Sequence, residues 1–236
     1  MVDFHSHILP DMDDGSKSFG ESIQMLRLSF DMGIDIMIST SHYYANDETI
    51  SSFLSRRNEK QQILMSALDD INDVPQIVMG AEVAYFSGMS REKEISRLCI
   101  DKTKYMLLEM PFSEWSSLTI SEVKSLITNR GITPIIAHIE RYFPYQQKGG
   151  KFDQLLSLGV IFQTNAEALV HGKYRRKILK MIAANQIHLL GSDCHNAEER
   201  SPNLDRAFKI IAKKLGYSTL EKIDANSRRI TNDECI

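Results

Sequence analysis

The sequence predicts an α/β protein built as a barrel of parallel strands. Short apolar runs alternate with longer segments in which apolar residues recur at helical spacing. This alternation implies parallel strands joined by right-handed helical crossovers. About seven such units fit the chain, and that number favours a barrel over an open sheet. Polar residues follow the apolar runs at their C-terminal ends, which in such a barrel form the one face where sites are built.

Composition narrows the classes of protein to consider. The 236 residues are 42% hydrophobic and contain no low-complexity linker, which predicts a single domain over residues 1–236. A net charge of −3 gives no general attraction to nucleic acid or to an anionic membrane. The sequence shows neither a membrane-spanning apolar run nor a signal peptide, and Cys99, Cys194 and Cys235 make no disulfide framework. We therefore expect a cytoplasmic protein without direct membrane insertion.

The first predicted strand leads into His5-x-His7, and an acidic turn with Asp11, Asp13 and Asp14 follows. Alternate side chains of an extended chain point the same way, so the two histidines can converge on one point. Imidazole together with carboxylate suits Zn, Mn or Fe better than Ca²⁺ or Mg²⁺. Taken alone, these residues leave open a surface pair of histidines followed by a solvated acidic turn.

Helices are predicted from capping residues and apolar spacing. Ser18 and Glu21 form a capping box that opens the first helix, with Gly33 as its stop. Thr119 and Glu122 form a second box. The predicted helices cover residues 18–32, 49–68, 119–130, 152–158, 166–184 and 203–215, with a short tail after residue 217.

Strands are predicted from the apolar runs between the helices. After the N-terminal run they cover residues 34–38, 77–79, 105–108, 133–137, 160–162 and 187–190. Residues 83–103 lack a clean period, and we expect a loop there with at most a short helix.

Residues able to bind a metal stand at or just past the ends of these strands. Five of the seven histidines belong to this set, whereas chance would scatter them between helices and loops as it does His171 and His188. For those two histidines we expect structural roles. The residues at the strand ends are His5, His7, His42, Glu82, Glu109, His138, Asp193 and His195. The coincidence of ligand-type residues with strand ends predicts a metal centre.

The same residues carry a resemblance to a known family. The matching segments are His5-x-His7, Asp14, Ser41-His42, Gly80-Ala-Glu82, Leu108-Glu109, Ala137-His138-Ile-Glu-Arg141 and Ser192-Asp193-x-His195-Asn196. They resemble the polymerase and histidinol phosphatase (PHP) superfamily, and they look closest to its bacterial capsule and exopolysaccharide tyrosine phosphatases, the CpsB/YwqE-like group. The resemblance runs from Met1 to beyond Arg200. It implies a distorted (β/α)7 barrel holding three divalent metal ions, usually manganese, with iron or zinc as alternatives.

The resemblance also implies a role for each matching residue. The first metal would be held by His5, His7, Glu82 and Asp193; the second by Asp14, His42 and His195; and the third by Glu109 and His138, with Glu82 bridging. Arg141 and Arg200 match the phosphate-contacting arginines. If this segment were aligned with the family two residues differently, the ligand role of Asp14 would pass to a neighbouring aspartate. Glu140 is expected to orient His138 or to form a salt bridge.

The implied function is hydrolysis of phosphotyrosine on the tail of a membrane-associated bacterial tyrosine kinase that regulates capsular or exopolysaccharide synthesis. Clustered cations would offset the phosphate charge and lower the pKa of a water, and arginines would bind the remaining oxygens. Histidinol phosphate or another small phosphomonoester is the alternative substrate. A non-enzymatic metal-binding protein is the rival from another class, although such a protein would be expected to lose ligands. Four aromatic residues after strand ends either wall a substrate slot or pack loops: Tyr43, Tyr44, Phe112 and Trp115.

One motif points to a different chemistry. Cys194, followed by five residues and then Arg200-Ser201, fits the signature of cysteine-dependent phosphatases. That mechanism needs a thiolate inside a loop of free backbone N–H groups, usually containing glycine. The five intervening residues contain no glycine and two glutamates. Alternation also places Cys194 opposite Asp193 and His195, so we expect the metal mechanism.

Overall fold

The computed structural model describes residues 1–147 and 150–236, and in them nine strands and eight α-helices. The strands are β1 (Val2–Ser6), β2 (Ile36–Ser39), β3 (His42–Tyr43), β4 (Gln76–Met79), β5 (Glu82–Ala84), β6 (Tyr105–Glu109), β7 (Thr133–Ile136), β8 (Ile161–Asn165) and β9 (Leu189–Gly191). The helices are α1 (Phe19–Asp31), α2 (Ile50–Leu68), α3 (Ser117–Arg130), α4 (Lys151–Ser157), α5 (Ala166–Val170), α6 (Arg175–Ala183), α7 (Leu204–Leu215) and α8 (Tyr217–Thr231). No helix within these ranges is long and apolar enough to cross a membrane.

The paired strands run parallel in two curled sheets, which confirms the α/β class. One sheet has the order β1-β2-β4, and the other has the order β3-β5-β6-β7-β8-β9. After two residues β2 is followed by β3, and β4 by β5, so the chain passes twice from one sheet to the other. Ser6 also forms a parallel bridge with Cys194, just past β9. The C-terminal ends of the strands are thereby brought together.

An apolar cluster drawn from both sheets lies beneath these strand ends. Its buried members include Phe4 of β1, Ile38 of β2, Leu107 of β6 and Leu189 of β9. A larger cluster packs the helices against the outside of the sheets. Dense packing of this kind fixes where each strand ends, and therefore where the polar residues that follow it are placed.

Most predicted helix ends are confirmed. The Ser18 hydroxyl accepts a hydrogen bond from the backbone N–H of Glu21 at 3.2 Å and caps α1. Gly33 and Gly131 follow α1 and α3 with φ angles of 83° and 66°, a left-handed conformation that glycine adopts without steric cost.

The second capping box is wrong. The residue that caps α3 is Ser116, whose hydroxyl accepts from the N–H of Thr119 at 3.1 Å. Glu122 instead accepts a hydrogen bond from the N–H of Ser90 at 2.7 Å. The predicted helix over residues 166–184 is likewise divided into α5 and α6. The break lies near Gly172, where a Cβ atom would stand only 1.8 Å from the carbonyl oxygen of Ala168.

The prediction of a short tail after residue 217 is also wrong, because α8 continues to Thr231. Its buried face combines Ile223 and Ile230 with the polar Asn226 and Ser227, which dilutes the apolar periodicity. The Asn226 amide donates to the carbonyl of His188 at 3.2 Å, so a polar residue anchors this helix. Residues 83–103 contain two short 3-10 helices, Met89–Arg91 and Ile95–Leu98.

Candidate metal centre

The structure brings all nine predicted metal ligands together at the C-terminal ends of the strands. His5 Nε2 lies 3.1 Å from both His7 Nε2 and Glu82 Oε2. His138 Nε2 lies 2.8 Å from Glu82 Oε1 and 3.4 Å from Glu109 Oε1. Glu82 therefore occupies the middle of the cluster. Three overlapping groups have donor atoms within 4.8 Å of one another: His7, Asp14, His42 and His195; His5, His7 and Asp193; and His42, Glu82 and Glu109.

These groups share members more than the resemblance implies. His7 belongs to two of them, and so does His42. His42 Nδ1 lies 3.2 Å from Glu82 Oε2. Because His42 is expected at the second metal and Glu82 is expected to bridge to the third, this contact links the two sites. The cluster is one continuous array of donors.

Buried nitrogen atoms without partners fit a metal-binding role. Within residues 1–147 and 150–236, His42 Nδ1 and His195 Nε2 are buried, face carboxylates of this cluster and have no hydrogen-bond partner. A buried polar atom left unpaired costs about 1–3 kcal/mol, so two in one site require an explanation. Nitrogen and carboxylate donors around a common centre suit Mn, Fe or Zn. These clusters are able to hold metal ions.

Opposite charges hold the cluster together electrostatically. Burial alone would raise the pKa of the Glu82 carboxyl, but His5 and His138 hold it well below its usual range. Burial alone would lower the pKa of His138, but the carboxylates of Glu109 and Glu82 raise it to about 9. Each charged group is thus stabilised by its partners rather than by water.

Asp13 orients two of the ligands, a role that sequence reasoning missed. Its Oδ2 atom lies 2.9 Å from His7 Nδ1 and accepts from the N–H of His42 at 2.8 Å. Its Oδ1 atom accepts from the N–H of Gly15 at 2.9 Å. A carboxylate on Nδ1 leaves Nε2 of His7 directed at the cluster, which is the arrangement usual for metal-binding histidines.

The other two aspartates of the acidic turn point in different directions. Asp14 Oδ1 lies 3.3 Å from His195 Nε2 and 3.6 Å from His42 Nε2, so Asp14 stands at the predicted ligand position. Asp11 turns outward and pairs with Lys60 at 3.1 Å. Asp14, rather than Asp11, is therefore the aspartate of this pair that faces the other predicted ligands.

Two carboxamides on β8 form a hydrogen-bonded link beneath the cluster. Gln163 Oε1 accepts from the N–H of His138 at 2.7 Å and lies 3.4 Å from His5 Nδ1. Gln163 Nε2 donates to Asn165 Oδ1 at 2.9 Å, and Asn165 Nδ2 donates to Asp193 Oδ2 at 2.8 Å. Carboxamides at the alternate positions 163 and 165 of a buried strand were the sequence signal for this link.

Arg141 and Arg200 converge on the same carboxylate. Arg141 Nη2 contacts Asp193 Oδ2, and Arg200 Nη2 lies 3.2 Å from that oxygen. Arg200 Nη1 also lies 3.6 Å from Asp14 Oδ2. The two side chains are 39% and 40% exposed, and both line a cleft of about 220 Å³. They stand at the rim of the cluster, with donors accessible from solvent.

Among the described residues, Glu140 forms neither a hydrogen bond to His138 nor a salt bridge, contrary to expectation. Its carboxylate accepts from the hydroxyl of Thr164 at 2.8 Å and from the N–H of Asn165 at 3.3 Å. It stabilises the end of β8.

His188 has the structural role expected, because its Nδ1 accepts from the N–H of Phe162 at 3.2 Å and burial lowers its pKa to about 4. His171, for which a structural role was also expected, is instead exposed at the rim of the cleft.

Cys194 is unsuited to nucleophilic attack. Its side chain is buried in the outer apolar cluster, and burial raises the pKa of its thiol well above the usual value. Four N–H groups of the loop after it are already occupied: those of His195 and Asn196 donate to the carbonyl of Arg200, and those of Glu198 and Arg200 donate to Asn196 Oδ1 at 3.0 and 2.9 Å. The expectation that Cys194 points away from Asp193 and His195 agrees with this placement.

The four aromatic residues divide into two kinds. Tyr44 and Phe112 are 41% and 47% exposed, and their rings stack on His42 and His138 with centroids 5.2 and 6.0 Å apart. The other two, Tyr43 and Trp115, are buried in the outer core. Only Tyr44 and Phe112 are therefore available to a substrate.

Three comparisons place the chain among known proteins. A sequence profile of the family described as "Capsular polysaccharide synthesis, CpsB/CapC" matches residues 1–232. The tyrosine-protein phosphatase CpsB of Streptococcus pneumoniae is 32% identical, with all of both chains covered.

Solved structures agree. One described as that of YwqE from Bacillus subtilis and CpsB from S. pneumoniae, metal-dependent tyrosine phosphatases, superposes with a TM-score of 0.88 at 25% identity, covering 100% of this chain and 96% of the other. A putative histidinol phosphatase from Listeria monocytogenes shares the fold, with a TM-score of 0.52 at 18% identity over 93% and 99% of the two chains.

Proposed function

Because the chain belongs to the CpsB/CapC family of capsular polysaccharide synthesis proteins, we propose that its metal centre hydrolyses phosphotyrosine on a bacterial tyrosine kinase that regulates this synthesis. The protein is a metal-dependent tyrosine-protein phosphatase. The observation that carries the proposal is the convergence of nine ligand-type residues beside two exposed arginines and two exposed aromatic rings.

The two sheets are, in this proposal, parts of one distorted (β/α)7 barrel. The passage of the chain from β2 to β3 and from β4 to β5 supports this, because each pair then counts as one interrupted strand. The contact between β1 and the end of β9 supports closure: the N–H of His7 donates to the carbonyl of Cys194 at 2.9 Å, and the N–H of Asp193 donates to the carbonyl of His5 at 2.8 Å.

The centre would hold three divalent ions, with Mn²⁺ the expected metal. His5, His7, Glu82 and Asp193 would hold the first, Asp14, His42 and His195 the second, and Glu109 and His138 the third, with Glu82 shared. Such ions supply positive charge that offsets the repulsion between phosphate oxygens and an attacking water, and they lower the pKa of that water.

The protein's own residues bind and orient the phosphate group. Arg141 and Arg200 present planar guanidinium groups that donate paired hydrogen bonds to phosphate oxygens. The two oxygens of Asp193 face different groups. Oδ1 lies 3.5 Å from His5 Nε2 and 3.4 Å from His7 Nε2, whereas Oδ2 faces both arginines. The residue thereby fixes the distance between the metal cluster and the phosphate-binding groups.

The aromatic side chains account for the choice of phosphotyrosine. Tyr44 and Phe112 flank the cluster from the side of His42 and His138, where they can contact a phenyl ring. A phenolate is a better leaving group than an alkoxide, so hydrolysis requires little help from a general acid.

The substrate would be a disordered, tyrosine-rich tail of a membrane-associated kinase, dephosphorylated in the cytoplasm. A disordered tail reaches the enzyme as an extended peptide and needs an open site. The partial exposure of Arg141, Arg200, Tyr44 and Phe112 is consistent with such access.

The experiment is a comparison of three substrates with Mn²⁺ supplied: a phosphotyrosine peptide, a phosphoserine peptide and histidinol phosphate. We expect kcat/KM to be highest for the phosphotyrosine peptide. A clear preference for histidinol phosphate would overturn the substrate while leaving the metal centre intact. Loss of activity on chelation and recovery with Mn²⁺ test the metal requirement separately.

A further inference from the structure

The positive charge of the chain is concentrated on two neighbouring segments. Residues 171–184 and 204–217 contain nine of the 28 lysines and arginines but only one of the 31 acidic residues. These segments include α6 and α7, which contact each other. The net charge of −3 for the whole chain conceals this concentration. We call the exposed side of α6 and α7 the basic face; its charged residues are Lys173, Arg176, Lys177, Lys180, Arg206, Lys209, Lys213 and Lys214.

Most of these charges are available to an external partner. Among the described residues, Arg176, Lys180, Arg206, Lys213 and Lys214 form no ion pair, although their side chains are exposed. A basic residue whose role is to stabilise the fold is generally paired or hydrogen-bonded.

Two other cations of this region show that contrast. Arg175 contacts the carbonyl oxygens of Leu169 and Val170 and so completes the end of α5. Lys177 lies 3.8 Å from the centre of the Phe143 ring. Among the described residues, the five unpaired cations of the basic face make no such contact with a carbonyl oxygen or an aromatic ring.

The basic face begins at the catalytic cleft. His171, just before α6, and Arg206, in the first turn of α7, line the same cleft as Arg141 and Arg200. From there α7 extends for 12 residues, about 18 Å, so the face is a broad surface on two helices. Acidic residues also line that cleft, at Glu167, Glu198 and Glu199, and Glu221 lies on α8, which packs against α7.

An exposed tyrosine stands at the far end of this face. Tyr217 follows Gly216 directly after α7 and is 76% exposed, among the most exposed large hydrophobic residues described. Tyrosine beside lysines is the combination that favours the interface between water and lipid, where the ring enters the headgroup region and the cations remain at the phosphates.

From these observations we propose that the basic face binds the surface of a membrane containing anionic phospholipids, with the mouth of the catalytic cleft at the edge of the contact. Charge complementarity and the exposed Tyr217 identify the partner. The breadth of a two-helix surface suits a lipid surface better than an acidic peptide, which would require a groove. The proposal goes beyond the catalytic function, because membrane contact does not depend on hydrolysis.

The test measures co-sedimentation with vesicles of phosphatidylcholine alone and of phosphatidylcholine mixed with phosphatidylglycerol. The variant reverses two charges, Lys180→Glu with Lys213→Glu, and a second variant is Tyr217→Ala. The matched control, Arg27→Glu with Lys124→Glu, makes the same change of net charge at exposed positions of α1 and α3.

We expect the unchanged protein to bind only the vesicles with phosphatidylglycerol, and to bind less as salt is raised. The double reversal on the basic face should weaken binding on the order of tenfold or more, Tyr217→Ala by a smaller factor, and the control not at all. Hydrolysis of a soluble phosphotyrosine peptide should be the same in all variants, so a failed substrate assignment is distinguishable from a failed membrane assignment.

Three results would overturn the proposal. One is an absence of binding to anionic vesicles at low salt, and another is equal binding by the double reversal and its control. The third is binding of the basic face to a poly-glutamate peptide without any binding to vesicles, which would assign the face to an acidic protein partner.

Discussion

The floor of the metal centre and its rim are both formed by charged side chains, but they differ in exposure. On the floor, His5, Glu82, His138 and Asp193 are buried, His42 is nearly so, and they are hydrogen-bonded or ion-paired to one another. At the rim, Arg141 and Arg200 keep about two fifths of their side-chain surface in solvent. A buried charge must be matched by its neighbours, whereas a partly exposed one retains water. Effects of substitution should therefore decrease from floor to rim.

Substitution on the floor should have the largest effect. Asp193→Ala or His42→Ala removes a ligand and leaves its partners unmatched, so kcat/KM on a phosphotyrosine peptide should fall by orders of magnitude, together with metal content. Asp11→Ala is the matched control, because this aspartate of the acidic turn faces Lys60 and should behave like the unchanged protein. Near-normal turnover without Asp193 would contradict the assignment of the floor.

Substitution at the rim should cost less. Arg141→Ala or Arg200→Ala should lower kcat/KM by about 1.5–3 kcal/mol of transition-state stabilisation, which is roughly 10–150-fold. Metal content should be unchanged, and this separates the rim from the floor. A loss of bound metal in either variant would show that the arginines support the ligands rather than the phosphate.

The hydrogen-bonded link of Gln163 and Asn165 beneath the cluster should show a smaller effect that includes both metal affinity and turnover. Asn165→Ala removes the amide that donates to Asp193 Oδ2, and we expect a loss of metal affinity of roughly tenfold, measured by chelator competition, with a similar loss of kcat/KM. Thr164→Val is the control, because Thr164 lies next to Asn165 on β8 and its hydroxyl donates to Glu140 rather than to a predicted metal ligand. If both variants lost the same metal affinity and the same kcat/KM, Asn165 would support the fold rather than the metal centre.

The aromatic side chains at the rim should have a smaller and more selective effect. Phe112→Ala or Tyr44→Ala should raise KM for a phosphotyrosine peptide a few-fold, since an aromatic contact contributes about 0.5–1.5 kcal/mol. Hydrolysis of an aliphatic phosphate monoester should be nearly unchanged. The same loss on both substrates would mean that the rings position His42 and His138 rather than the substrate.

Cys194 should show the smallest effect on catalysis. Cys194→Ser or Cys194→Ala should keep kcat within about twofold, because the thiol lies in the apolar core behind the site. Some loss of stability is expected for the serine variant, since it buries a hydroxyl there. Activity that resists a chelator but is lost in these variants would reverse the choice of mechanism.

The α/β class and the residues of the cluster could be predicted from the sequence, because strand ends are local features. The apolar runs specify where β1, β6 and β7 end, and parallel strands bring those ends to one edge. The parallel pairing of β5 with β6 and of β7 with β8 confirms the parallel strands that the pattern predicts. Local capping was less reliable, since Ser116 and not Thr119 begins α3.

The sequence by itself determined which residues could bind metal, since residue type and position at a strand end are both written along the chain. Only the tertiary structure decided their partners. It directed Asp13 to His7, Asp14 to His195 and Asp11 to Lys60, although the three aspartates lie within four residues. It also joined α6 to α7 into one basic face that the average charge conceals. The physical reason is that direction and proximity depend on packing between distant segments, which no local pattern encodes.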